Sequence, residues 1–423
     1  MHSLQKLCLV IFSLIFVHCS SENSVEKIDS MDGKYGWISA GLIPNEKLLS
    51  THKNGLQRIT HSRDWIFVMD GNEEKSTKMY LRYDYRVFYS RVGSSKWDTL
   101  QFPDGVKPFS LYGNDDGLYV GSFGSGLVWL YEPDQNKWTS VNHFEKKEED
   151  YVNVTAISSL NGRLFASMAG YADTSNEKYS PISFQMLQVS DSEWIDVSPT
   201  DFARETDYSS PFYAHKLVEH KGSLYAATYD YGAWRFDGST KTWHALPSFP
   251  QLDLKSSSNY AESMAIYDDR LYVGVWNSIF RLSDDGLLWE NVDSTIYYDV
   301  SQTGLIPGED GTAEYGNVVT QSCSNNIPYR NYAMISTGKH LFVAGDPGKP
   351  YVYMNFYPFN EEKGWRRLSE GWCSTQGCVA SMTYDMDVVE DTLYAAGWEG
   401  LFKVPLSDME KMIENERSYP KTR

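Results

Sequence analysis

One apolar spacing recurs along the chain. An apolar pair stands at Ile66-Phe67, Leu118-Tyr119, Leu164-Phe165, Leu224-Tyr225, Leu271-Tyr272, Leu341-Phe342 and Leu393-Tyr394. Seven residues before each pair comes another apolar residue: Ile59, Leu111, Ile157, Leu217, Met264, Met334 and Met386. Turn-forming stretches such as "GNDDG", "LNGR", "EHKG" and "YDDR" lie just ahead of the pair, as hairpin turns do. Downstream of six pairs stands a tryptophan: Trp97, Trp138, Trp194, Trp243, Trp289 and Trp365. Each unit therefore predicts four short strands, the last carrying the Trp.

A single four-stranded sheet cannot bury both of its faces. Sheets of this size stacked radially can, so the repeat predicts an all-β, seven-bladed β-propeller. The last unit, "MDVVEDTLYAAGWEGLFKVPLSDMEK", has no Trp strand of its own. "YGWISAGL" near the other terminus reads like "NKWTSVN", so the strand around Trp37 is expected to complete the last blade and close the ring. The recurring Trp and Leu-Tyr positions read as core between blades. "VWLYEPDQNKWTSV" resembles the end of a kelch blade, without the Gly-Gly of that family. "LSDDGLLWENV" resembles a shortened Asp-box of the sialidase-type blades. Both resemblances imply a propeller, and neither implies one activity.

The ends of the chain bound its location. An apolar run over 7–17 is too short to span a bilayer and matches a signal-peptide core. Cys19 stands where the acylated Cys of a bacterial lipoprotein would, so the segment resembles a lipoprotein signal; His18 departs from the small residue expected there, and ordinary cleavage is the alternative. The expected organisation is a signal peptide over 1–19, a tether over 20–34, a propeller over 35–407 and a polar tail over 408–423. The product is exported, lipid-anchored in the cell envelope or secreted, and a monomer.

A hydrophobic share of 41% with 22% charged residues is that of a globular chain. A net charge of −18 repels phosphate backbones, which argues against nucleic acid as a partner. Of the 5 cysteines, Cys373 and Cys378 sit in one loop, "CSTQGC", and a local disulfide is expected there in an exported protein. The histidine and cysteine spacings fit no metal site, and no cofactor motif appears.

Chemistry is expected at the end of the ring that carries the long connections, among them "GYADTSNEKYSPIS" and "SPTDFARETDYSSPFYAH". Nine residues before the first member of each pair stand Gln57, Phe109, Thr155, His215, Glu262, Tyr332 and Tyr384. With Tyr213, Tyr260 and Arg330 two residues earlier on three blades, they predict a sector rich in Tyr, His, Glu and Arg at the channel mouth. Two functions follow. A binding surface for a glycan or a protein partner would use Tyr213, Tyr260 and Tyr384. A propeller-type polysaccharide lyase would use His215, Glu262, Arg330 and Tyr332, with His215 or a Tyr taking the proton beside a carboxylate that Arg330 neutralises. Sialidase chemistry fits less well, because Arg58, Arg204 and Arg330 fall on separated blades. The plain alternative for the ring is hydrated channel lining.

Overall fold

The computed structural model describes residues 37–41, 55–70, 73–74, 82–83, 85–141, 151–173, 178–180, 184–188, 193–199, 213–228, 231–250, 260–275, 278–292, 296–297, 304–307, 313–316, 330–346, 365–366, 373–374, 377–378, 383–397 and 400–411. Contacts divide the chain into Met1–Met31 and Asp32–Arg423, and every described residue belongs to the second unit.

The first strand is the short β1 (Ile38–Ser39). Blade 1 follows with β2 (Leu56–Ser62) and β3 (Trp65–Asp70), a small hairpin β4 (Glu73–Glu74) and β5 (Arg82–Tyr83) within its loop, then β6 (Arg86–Arg91) and β7 (Asp98–Thr99). Blade 2 is β8 (Pro108–Asn114), β9 (Gly117–Ser122), β10 (Val128–Glu132) and β11 (Lys137–Ser140). Blade 3 is β12 (Tyr151–Leu160), β13 (Arg163–Asp173), the added β14 (Lys178–Ser180), β15 (Phe184–Gln188) and β16 (Glu193–Asp196). Blade 4 is β17 (Ala214–His220), β18 (Ser223–Thr228), β19 (Gly232–Asp237) and β20 (Thr242–Ala245). Blade 5 is β21 (Ala261–Tyr267), β22 (Arg270–Val275), β23 (Ser278–Leu282) and β24 (Trp289–Asn291).

Beyond blade 5 the regular pattern breaks. β25 (Ile296–Tyr297) and the hairpin β26 (Gly304–Pro307) with β27 (Ala313–Gly316) precede a two-stranded sheet of β28 (Arg330–Ser336) and β29 (Leu341–Asp346). β30 (Trp365–Arg366) pairs in parallel with β25, and β31 (Cys373–Ser374) pairs with β32 (Gly377–Cys378). The final sheet is β33 (Thr383–Val389), β34 (Thr392–Gly397) and β35 (Gly400–Pro405), with β1 added to the far edge of β35, Ile38 opposite Lys403. The molecule is an all-β propeller. Five blades are complete from consecutive strands among the described residues, where the spacing predicts seven. Among the described residues the Trp365 strand pairs with β25, a strand of the long insertion after blade 5.

The core lies between sheets rather than within one. Phe67, Val87, Leu118 and Tyr131 join blades 1 and 2. Leu160, Phe165, Leu217 and Trp234 join blades 3 and 4. Trp37, 1% exposed, packs with Phe342, Met386, Phe402 and Met409. A short helix over 406–411 crosses the expected boundary at 407, and Met409, expected in the polar tail, is fully buried. Three outer-strand tryptophans also donate their indole N–H to the link leaving the preceding sheet: Trp97 to Ala40 O at 2.9 Å, Trp138 to Gln101 O at 3.0 Å and Trp289 to Pro247 O at 2.6 Å.

The innermost strands lie side by side in the order β2, β8, β12, β17, β21, β28, β33 and back to β2. Side chains of one strand satisfy backbone groups on the open edge of the next. Ser62 donates to Asn114 O at 2.6 Å, Ser110 to Val154 O at 2.7 Å, and Gly113 N–H donates to Thr60 Oγ1 at 2.9 Å. Thr60, Tyr112 and Asp387 hold one equivalent position, the residue after Ile59, Leu111 and Met386. Each bonds a residue two beyond the matching apolar position of the next strand: Gly113, Ser159 and His61. At the seam between β33 and β2 this bond is a His61 Nδ1–Asp387 Oδ2 contact of 2.7 Å, beside an Ile59 N–H to Asp385 bond of 3.1 Å. The strands approach so closely that a Cβ on Gly113 would lie 1.9 Å from the His61 carbonyl oxygen.

Gly113→Ala should therefore lower the free energy of unfolding by about 1–3 kcal/mol, whereas Gly238→Ala, whose Cβ meets nothing nearer than 3.5 Å, should stay within about 0.5 kcal/mol of the parent. Urea melts of both decide it. The seam also carries a pH dependence. The hydrogen bond that His61 donates to the Asp387 carboxylate raises the His61 pKa above its ordinary 6.5 despite burial. The stabilisation is thus complete below pH 6.5 and is lost as pH climbs through the raised value. Stability should fall over that window, and Asp387→Asn should flatten the profile.

Candidate functional site

The two ends of the blades differ. At one end, six of the hairpins that join a first strand to a second turn through two residues only. Asn161-Gly162, Lys221-Gly222 and Asp268-Asp269 place both turn residues at positive φ, the turn whose twist matches that of the flanking strands. At the other end lie the connections from second to third strand and the links between blades. Residues 71–85, 142–150, 200–212 and 251–259 fall in these connections. Because first and second strands are antiparallel, both kinds of connection share this end, and it is the elaborated one.

At this end every innermost strand is interrupted by a bulge. The register shifts fall between Leu56 and Arg58, Pro108 and Ser110, Val154 and Ala156, Ala214 and Lys216, Ala261 and Ser263, Arg330 and Ala333, and Thr383 and Asp385. The skipped residues are Gln57, Phe109, Thr155, His215, Glu262, Tyr332 (with Asn331) and Tyr384. These are the seven positions nine residues before the apolar pair. A bulge inserts one residue into a ladder and re-aims the side chain there, and bulges concentrate beside sites.

The blade 4 and blade 5 residues come together. The rings of Tyr213 and His215 lie 5.0 Å apart, edge to face, and those of His215 and Tyr260 lie 5.4 Å apart. Tyr213, His215 and Tyr384 are half-buried. Tyr260 at 6% exposure and Glu262 at 7% are buried. Tyr260 is therefore not the open stacking platform that its place in the chain suggests, and the His215 ring lies beside it. Arg330 opens β28, and its backbone is directly opposite that of Asp346. The side chains of Arg330 and Tyr332, and all of Cys19, lie outside the described residues. Cys373 and Cys378 are directly opposed across β31 and β32, a placement whose typical Cα separation suits a disulfide. Among the described residues no group of three or more His, Cys, Asp or Glu is placed to hold a metal ion.

Three polar groups shape this end without any repeat signal to announce them. Asp70, fully buried at the close of β3, accepts the Arg86 backbone N–H at 3.0 Å and its guanidinium Nε at 3.1 Å, which ties off the blade 1 loop. Thr228 donates to Gly232 O at 2.7 Å across the tight blade 4 loop. Ser167 Oγ meets Thr155 Oγ1 at 3.0 Å and accepts the Ala214 N–H at 2.8 Å, bonding blade 3 to the first residue of β17. Asp70 and Thr228 end a second strand, whereas Ser167 lies within β13. Tyr119 and Tyr131, by contrast, are pushed up to about 12, chiefly by burial, and are poor proton acceptors for any reaction near neutral pH.

No family model matches the chain, and no curated protein matches it. Among solved structures, YCF48 from Cyanidioschyzon merolae is similar in fold, with a TM-score of 0.51 at 12% identity over 88% of this chain and 99% of that one. Two structures of the extracellular domain of BT4673 from B. thetaiotaomicron give TM-scores of 0.47 and 0.48 at 13% identity, over 86% of this chain. The match spans 39% of the BT4673 chains. Similarity at these identities bears on the fold alone.

Removing the cation beside Asp70 strands a buried carboxylate. Arg86→Met should cost about 3–5 kcal/mol in a denaturant melt, and adding Asp70→Asn to that variant should recover part of the loss.

Proposed function

We propose that this chain is a propeller of seven units that works as a binding module outside the cytoplasm and takes a glycan or a partner protein at its elaborated end. The observation that carries the reading is the contrast between the two ends: two-residue turns at one, bulged strands and long connections at the other. A scaffold with no ligand has no physical need for that asymmetry. The seven-unit count is supported by the seven spaced bulges and by the cyclic neighbour order of the innermost strands. In this reading the β28–β29 hairpin is the inner half of the sixth unit, and β1 completes the seventh.

Export through residues 1–19, with a lipid on Cys19, is part of the same reading. Among the described residues no helix is long and apolar enough to cross a membrane, so retention at an envelope would rest on that lipid. A Cys373–Cys378 disulfide would agree with an oxidising location. Tyr213, His215 and Tyr384 are half-buried and are the side chains offered for contact. Burial of Glu262 weighs against a role for it as general acid or base, because such a group must reach its substrate.

Screening the purified chain against neutral and acidic polysaccharides, with binding and product read together, tests the reading. Binding without product, weakened in His215→Ala, is the expected result. Release of an unsaturated uronate that vanishes in His215→Ala would replace the module with a lyase. Absence of any glycan binding, together with a specific cross-linked partner on the long-loop end, would leave the protein-binding branch.

A further inference from the structure

The turn between the third and fourth strands of blade 5 departs from its equivalents. In blades 1, 2 and 4 the two residues ahead of the outer-strand tryptophan are Ser95-Lys96, Asn136-Lys137 and Lys241-Thr242. In blade 5 they are Leu287-Leu288. Both leucines face water, Leu287 at 72% exposure and Leu288 at 51%. The equivalent positions show that the fold accepts polar residues here, so the turn itself does not require leucine. Single apolar residues scattered over a surface need no explanation, whereas two neighbours at the tip of one turn do.

The turn is tied so as to hold the pair out. Ser283 N–H donates to Leu288 O at 2.9 Å, and Gly286 N–H to Ser283 O at 2.8 Å. Asp285 Oδ1 accepts the Leu287 N–H at 3.0 Å and the Ser283 hydroxyl at 2.6 Å. Ser283 Oγ accepts the Leu288 N–H at 3.1 Å. Gly286 stands at a φ of 73°, where a residue without Cβ is favoured. The next residue, Trp289, is buried against Phe249 and anchors the turn with its indole N–H on Pro247 O. A turn fixed in this way needs little ordering when it binds, so the apolar pair is offered at low entropic cost.

The surrounding charges decide what can cover it. The Asp284 side chain is 76% exposed and pairs with Arg270 at 2.9 Å. Glu290 accepts from Arg281 Nε at 2.9 Å. Asp285 is the third carboxylate, and its hydrogen bonds hold its pKa below the ordinary aspartate value. The turn therefore carries an acidic surplus on a chain whose net charge is −18. A second copy of the same turn would set like charges against each other, and anionic headgroups would be repelled in the same way. A groove with an apolar floor and basic borders answers both the leucines and the surplus.

We propose that the Leu287-Leu288 turn is a docking knob for a partner protein whose surface offers an apolar groove bordered by Lys or Arg. The turn lies at the end of the blades that carries the two-residue hairpins. The contact is therefore separate from whatever the elaborated end takes, and the ring has room for a ligand at one end and a partner at the other.

The test uses the whole chain and a synthetic helical peptide of leucine and lysine, with its leucines on one face between rows of lysine. Two counterparts replace every lysine by glutamate, or every leucine by serine. Binding is read by fluorescence anisotropy. The leucine–lysine peptide should bind, and both counterparts should bind at least about tenfold more weakly. Leu287→Ser and Leu288→Ser should each weaken binding by about tenfold, as expected when one buried leucine is lost. Ile195→Ser, exposed on another blade, should stay within about threefold of the parent. Melts of the three variants should match the parent, since exposed side chains are changed. Peptide binding that neither leucine variant alters is charge attraction alone and overturns the knob, as does the absence of binding. If the peptide does not bind, but phosphatidylglycerol vesicles or self-association in sedimentation velocity are lost in Leu287→Ser, a membrane or a second copy replaces the partner protein.

Discussion

The innermost strand of a blade has a partner on one side only. Its other edge presents backbone N–H and C=O groups, which are costly if left unmet and invite foreign strands if left open. Much of this molecule answers that constraint. Short polar side chains on one inner strand reach the edge of the next, as Thr60 does for Gly113 and Ser110 for the Val154 carbonyl. Where the same position falls at the join of first and last sheets, the neutral pair becomes Asp387 with His61. The requirement that strands come close enough for such bonds explains a glycine with no side-chain room at 113. The apolar clusters between sheets then fill the space that these contacts define.

The same constraint explains the bulges. A strand held along one edge by a ladder and along the other by side chains has little freedom to turn at its end. One extra residue gives it that freedom. Its recurrence at one register makes a set of residues from distant parts of the chain comparable: Gln57, Phe109, Thr155, His215, Glu262, Tyr332 and Tyr384. A ring of equivalent positions filled by unlike side chains is a common geometry with individual chemistry at each place.

Much of this was legible in the chain. The spacing of Leu118-Tyr119 from Leu111 is a local property of one hairpin, so counting along the sequence finds the strands, and nine residues further back it finds the bulge. What depends on partners far apart in the chain was not legible. The bond from Asp387 to His61 spans 326 residues, and no local spacing signals it. The ring that lies against Tyr260 belongs to His215, 45 residues earlier (260 − 215) on the neighbouring blade. Trp365 obeys the repeat by position, and its pairing with Ile296 of β25, 69 residues earlier (365 − 296), has no local signal.

The pairing of β1 with β35 has a temporal consequence. Ile38 meets Lys403, so β1 leaves the ribosome long before the strand it pairs with. At about 5–20 residues per second, the intervening 365 positions (403 − 38) take roughly 20–70 s to make. During that interval β1 has no edge to join, and the surface that Trp37 later covers stands open. Successive blades can stack as they appear, but the ring is a post-synthetic object, and its closure falls to whichever environment the completed chain has reached by then.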